Sequence, residues 1–283
     1  MRFWILAAAA LLVWPSPAQV APSLVSAYIV PATVRQGRVA ILAVSASVPM
    51  AQFTVRFAGR SWPLYRDGPA TWRTILGTDP TTRPGRQTVT VEAITTDGTR
   101  LVVRRSVTIV RVKFPERRIT FDPDRQALLT KENVERERRL VGAALRVLHG
   151  ERLWEDRFAF PAPGGVSSPY GVLSIYQGVV RGFHSGADFP VPEGTPVRAS
   201  NHGTVRLAEP LPLSGNAVMI DHGMGVVTSY LHLSAISVTA GQHVQKGNLI
   251  GAVGSTGLAT GPHLHWGLRV NGVRVDPVPW AAR

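Results

Sequence analysis

Three short stretches carry residue types that could do chemistry together. The first is His184-Ser-Gly-Ala-Asp188. Gly186 and Pro190 oppose a helix, so the segment is predicted to be extended. In an extended chain residues 184, 186 and 188 point to one side. His184 and Asp188 then converge, and Gly186 leaves room between them. A neutral imidazole and a carboxylate are both good zinc ligands, although a surface histidine followed by a capping aspartate would read the same way. The second stretch is His263-Leu264-His265. On a strand both imidazoles face one cleft while Leu264 points into the core. Either both bind one metal, or one binds while the other works beside it. The third is His232, on the same predicted face as Tyr230 at the end of a strand; taken alone it also reads as a satisfied structural histidine.

The remaining histidines read differently. Asp221 and His222 are expected to form and support a tight turn, His202 to lie in a loop, and His243 to be exposed. The chain has no cysteine, so a thiolate-rich metal site is excluded and any metal must be held by His, Asp or Glu. An open hydrolytic zinc site needs three protein ligands and a position for water. It also needs a group that moves protons and a group that steadies an oxyanion. No glutamate adjoins the motif histidines, so the carboxylate base of His-Glu-x-x-His proteases is missing; a histidine base fits, because its pKa lies near working pH.

The elements that must position these residues are mainly β. Residues 22–112 read as a basic β-sandwich of Ig-like type, with alternating stretches such as Thr88–Ala93 and a hairpin signal at Asp97-Gly98. Trp62, Tyr65 and Trp72 read as core or edge packing. Residues 113–158 read as a helical linker: Glu132 with Arg136 and Glu135 with Arg139 are four apart, acid first. In that linker Leu140, Ala144 and Leu148 form an apolar stripe, Gly150 is the expected stop, and the charge run is a solvated face. Residues 160–283 read as an antiparallel β domain, with Asn271-Gly272 turning its last hairpin.

The chain has 283 residues and a formal net charge of +13. Residues 1–114 carry +10 of it, against +1 for 115–160 and +2 for 161–283. Arg2, the apolar stretch 3–14 and Ser16-Pro17-Ala18 read as a signal peptide at 1–18, with a retained anchor as the alternative. No apolar run reaches the ~20 residues of a membrane span. Export argues against nucleic acid as a partner of the basic region and favours anionic envelope polymers or membrane surfaces, the alternative being an Arg-rich surface that is merely solvated.

These motifs resemble the LytM/lysostaphin-type zinc endopeptidases. The resemblance covers about 160–280, through Ser-Pro-Tyr-Gly (168–171), His-Ser-Gly-Ala-Asp (184–188), Glu-Gly-Thr-Pro-Val (193–197) and Gly-Asn-Ala-Val-Met-Ile-Asp-His-Gly (215–223). It continues with Tyr-Leu-His-Leu (230–233), Gly-Ser-Thr-Gly (254–257), Gly-Pro-His-Leu-His-Trp (261–266) and Val-Asp-Pro (275–277). It implies zinc held by His184, Asp188 and His265, with His232 and His263 as the two catalytic histidines. It implies a compact antiparallel β fold with a groove over the metal. The substrates implied are peptide cross-links or stem peptides of peptidoglycan, D-Ala–diaminopimelate links ahead of glycine bridges, in the periplasm or envelope. Some relatives have lost ligands and only activate other wall hydrolases; that is the alternative reading, and the five retained positions speak against it.

Overall fold

A computed structural model describes residues 24–282 apart from 147, 177 and 178; the expected signal segment, 1–18, lies outside the described residues. The N-terminal part holds two sheets. One orders Val25–Val30, Val39–Ala46, Thr71–Gly77 and Tyr65–Arg66. The other orders Thr33–Arg35, Arg100–Val110, Gly85–Thr95, Met50–Phe57 and Arg60–Trp62. Alternation builds both: Val89, Val91 and Ala93 are buried while Thr88 is exposed and Thr90 and Glu92 are half-buried, so one face of the strand meets the core. Leu42, Val44, Leu76, Val55, Phe57 and Trp62 fill the space between the sheets. Trp62 is buried with its indole N–H donating to Phe57 O at 3.1 Å, and Trp72 packs on Phe53.

The C-terminal part is built around a nine-stranded sheet. Its main path runs Gly186–Phe189, Leu264–Val270, Val226–Ile236, Gly215–Asp221, Gly203–Leu211 and His243–Val244. Pro196–Arg198, Leu249–Val253 and Val273–Val275 attach beside it. Trp266, Tyr230, Phe189, Ile220 and Leu264 are fully buried beneath it. Asn271 and Gly272 both take positive φ (48° and 80°), as a tight two-residue hairpin turn requires.

The connecting region departs from the expected single helix ending near Gly150. Two helices form, α1 (Pro123–Ala127) and α2 (Lys131–Ala144). Asp122 and Thr130 cap them, their side chains accepting from Arg125 N at 2.9 Å and Asn133 N at 3.1 Å. Helix α2 stops at Ala144 because the chain beyond it is committed elsewhere. His149 N donates to Asp221 Oδ2 at 2.8 Å, and His149 O accepts from Met224 N at 2.9 Å. The linker also contains an unexpected strand, Glu116–Ile119, which pairs in parallel with Leu173–Tyr176. That strand is an edge: the sheet continues only through Leu173–Tyr176 to Val179–Phe183.

The apolar stripe of α2 does what its spacing predicts. Leu140, Val141, Ala144 and Leu145 pack on Leu207, Leu211, Ala217 and Met219. The sandwich and the large sheet share one continuous core. Tyr65 Oη donates to Asn271 Oδ1 at 2.7 Å, Asn271 Nδ2 donates to Ile75 O at 3.1 Å, and Tyr170 Oη donates to Arg274 O at 2.8 Å.

Candidate active site

Asp188 and His265 sit directly opposite each other in the antiparallel pair of Gly186–Phe189 with Leu264–Val270. That pairing puts Asp188 Oδ1 2.9 Å from His265 Nδ1. His184 enters just past the strand Val179–Phe183, its backbone N–H donating to Val172 O at 2.7 Å. Its Nε2 lies 2.9 Å from Asp188 Oδ1 and 3.0 Å from His265 Nδ1. Three atoms of the kinds that can ligate a metal, on three segments, thus converge on one point. Gly186 makes this approach possible. A Cβ there would fall 2.3 Å from Trp266 O and 2.8 Å from His265 Nε2, closer than any side chain tolerates.

The donor chemistry suits a divalent metal. The other nitrogen of His184, Nδ1, donates to Pro169 O at 2.9 Å, which leaves the Nε2 lone pair directed at the site. Burial would push the Asp188 carboxyl up, but its short contacts with the His184 and His265 rings outweigh it and hold it well below the usual carboxylate range. Burial lowers the His265 pKa and keeps that imidazole neutral. A carboxylate and two imidazoles are donors of the kind an open zinc site uses.

His232 and His263 complete the cluster. Sequence alternation puts His232 on the face of Tyr230, and the structure corrects this. Tyr230 points into the core, where Ser200 N donates to its Oη at 2.8 Å. His232 adopts φ 63° where the register between Val226–Ile236 and Gly215–Asp221 slips by one residue. The bulge turns its ring toward His265, with ring centroids 6.2 Å apart. Its backbone N–H donates to Ser214 O and its Nδ1 to Thr256 O, both at 2.9 Å. His263 Nδ1 donates to Gly261 O at 2.8 Å. Both rings therefore offer Nε2 to the groove, their centroids 4.9 Å apart, and His263 Nε2 lies 3.9 Å from Asp188 Oδ1. Burial, and then the nearby His263 and His265, push His232 down to about 3.

The five residues line a groove of about 560 Å³. Residues 117–121 of the linker form one wall, and Leu258 with residues 260–263 another. His222 stands apart from this groove. It is fully buried, with Nδ1 donating to His202 O at 2.6 Å and Nε2 2.8 Å from Thr228 Oγ1. Asp221 accepts from Arg206, His149 N and Gly223 N. Those two residues support their turn, as the sequence suggests. His202 lies in a bend, half-buried near Glu155, and His243 is exposed.

Two contributors escaped the sequence reading. Ser168 Oγ lies 3.4 Å from His184 Nδ1 and accepts from Arg117 Nη1 at 3.1 Å. Glu137 of α2 is not part of a solvated charge run. Its carboxylate accepts from Leu213 N at 2.7 Å, Ser214 N at 3.0 Å and Ser214 Oγ at 2.6 Å, and Ser214 O is the acceptor for His232 N. The available signal was position: 137, 140, 141 and 144 lie on one helical face, so this carboxylate belongs to the apolar stripe.

Residues 182–277 match peptidase family M23. The DD-carboxypeptidase/endopeptidase Mpg of Neisseria meningitidis serogroup B is 47% identical over 118 residues, covering 40% of this chain and 26% of that protein. The peptidoglycan DD-endopeptidase ShyA of Vibrio cholerae is 51% identical over 93 residues, covering 33% of this chain and 22% of that protein. The chain thus spans about a quarter of the length of these curated relatives. A Pseudomonas aeruginosa protein of known structure, described as a peptidase M23, matches at 30% identity with a TM-score of 0.62, over 88% of this chain and 95% of that one. With a structural counterpart over most of both chains and the family match over the segment that holds the cluster, the chain belongs to peptidase family M23.

Proposed function

We propose that the chain is an exported zinc endopeptidase that cuts peptide cross-links or stem peptides of peptidoglycan. The observation that carries the reading is the convergence of His184 Nε2, Asp188 Oδ1 and His265 Nδ1 within 3.0 Å of one another, beside two more imidazoles that share the groove. His184, Asp188 and His265 hold the metal. When bound, zinc acidifies water and polarises a carbonyl, giving a nucleophile and an electrophile at neutral pH.

The chain's own residues do the rest. His232, held to about 3 by burial, resists taking up a proton. It accepts a hydrogen bond through Nε2 and orients the attacking water. His263, whose side chain is the more open to the groove, accepts the water's proton on Nε2 and delivers it to the departing amine nitrogen as the C–N bond breaks. Both rings keep their orientation because Nδ1 is spent on a carbonyl oxygen.

Peptidoglycan is favoured because the relative ShyA is named a peptidoglycan DD-endopeptidase and Mpg a DD-carboxypeptidase/endopeptidase. An envelope location follows from that substrate. No helix among the described residues is long and apolar enough to cross a membrane. The basic sandwich suits contact with anionic envelope polymers. The test is zinc content together with digestion of purified peptidoglycan, wild type beside His265→Ala. One zinc per chain and released cross-linked peptides are expected from the wild type alone. Undiminished zinc in the variant removes His265 from the ligand set, and zinc-loaded wild type that leaves the wall intact defeats the substrate assignment.

A further inference from the structure

We propose that Arg117 and Arg118 form a carboxylate-recognition subsite on the linker wall of the groove, so that the accepted peptide carries a free carboxylate beside the bond to be cut. The peptidase reading supplies the identity of the ligand; the subsite itself rests on placement and charge.

Both arginines lie on the edge strand Glu116–Ile119, and both line the groove that holds His184, Asp188 and His263. The strand's inner edge is paired with Leu173–Tyr176, and no strand pairs with its outer edge among the described residues. Arg117 is fixed there. Its Nη1 donates to Ser168 Oγ, and the same hydroxyl lies 3.4 Å from the His184 ring. One hydroxyl therefore separates this guanidinium from a metal-ligand imidazole, and most of its five donors stay uncommitted.

Neither arginine has an acidic partner. Among the described residues, the ion pairs of this chain engage Arg38, Arg73, Arg100, Lys131 and Arg206, but not Arg117 or Arg118. The groove's own carboxylate, Asp188, is buried and taken by His184 and His265. Both side chains are exposed on the wall of a groove whose cluster would hold a dication, so an entering anion meets positive charge with no acidic partner of its own. A guanidinium fork matches a carboxylate in two parallel hydrogen bonds. The peptide part of a bacterial wall offers that group wherever a diaminopimelate or terminal carboxylate is left unamidated.

The experiment compares two labelled, cross-linked stem peptides, one with its diaminopimelate carboxylate free and one amidated there. Binding is read by fluorescence anisotropy on the His263→Ala chain, so that cleavage does not interfere. The free-carboxylate peptide is expected to bind roughly tenfold to hundredfold tighter, the range for a charge-assisted hydrogen bond. The preference should vanish in Arg117→Ala/Arg118→Ala and return in part in Arg117→Lys/Arg118→Lys. Equal affinity for the two peptides, or failure of both to bind, overturns the proposal, as does a preference that survives both alanines. The peptide-side comparison needs no arginine variant, so misfolding cannot imitate the result. A wild-type chain that shows the preference yet cuts neither peptide would sink the peptidase reading and leave the subsite standing.

Discussion

The sandwich and the large sheet are built from the same material, alternating β-strands over a shared apolar core, but they bury different polar groups. In the sandwich the buried polar side chains are Gln36, Thr74, Thr78 and Thr95, all uncharged. Thr78, for example, bonds the backbone at Arg35 and Arg38 and fixes a turn. The large sheet buries Asp188, Asp221, His222, His232 and His265. An ionisable group is stable in such a place only when every partner is supplied. The sheet supplies them in two ways. Asp221 and His222 are closed off by backbone and hydroxyl partners. The groove residues instead converge on one point, the arrangement of a group that could hold a metal.

The contrast can be broken most severely inside the groove. His263→Ala should lower kcat by about 10²–10⁴, the usual value of a proton-transferring side chain, while metal content by mass spectrometry stays at the wild-type level. Loss of the metal instead would move His263 into the ligand set.

A change of similar energetic size in the sandwich should behave in the opposite way. Leu42 is fully buried, and Leu42→Ala should cost about 2–5 kcal/mol of stability. Turnover per folded molecule should be unchanged. A parallel fall in kcat would mean that the sandwich shapes the groove directly.

His222 sharpens the comparison through pH. Burial pushes its imidazole down to about 4 from an ordinary value near 6.5. The unfolded chain takes up the proton first, so this contribution is fully present above pH ~6.5 and is lost as pH falls toward 4. The shift corresponds to about 3 kcal/mol. Urea midpoints should fall across that window in the wild type and fall less in His222→Gln. An equal fall in both would assign the acid sensitivity elsewhere.

The smallest effect is expected at the helix. Glu137→Ala leaves two backbone N–H groups and a hydroxyl without their acceptor, a cost of about 1–3 kcal/mol. The loop carrying Ser214 should loosen and kcat should drop around tenfold with the metal retained, Glu137→Gln lying between. Unchanged kcat in the alanine variant would confine Glu137 to holding the helix.

The sequence made some of this geometry plain and hid the rest for physical reasons. Period-2 logic placed His263 and His265 on one side with Leu264 in the core, and Leu264 is fully buried. The space left at Gly186 was also readable, because the segment had to be extended. Alternation failed at His232, since a bulge with left-handed backbone cancels the period that the reading relies on. The strand Glu116–Ile119 was hidden because Glu-Arg-Arg-Ile has neither apolar alternation nor a turn signal; only its partner strand makes it one. Helix α2 ended early because bonds from His149 to Asp221 and Met224, over 70 residues away in the chain, override local propensity.

The register between Gly186–Phe189 and Leu264–Val270 has a bearing on how the protein is made. The strand that carries Asp188 leaves the ribosome some 77 residues before its partner carrying His265. Until then the nascent chain carries only the His184 and Asp188 half of the cluster. Any chain interrupted before residue 265 lacks the third donor, so the candidate site assembles only after the strand Leu264–Val270 has been made.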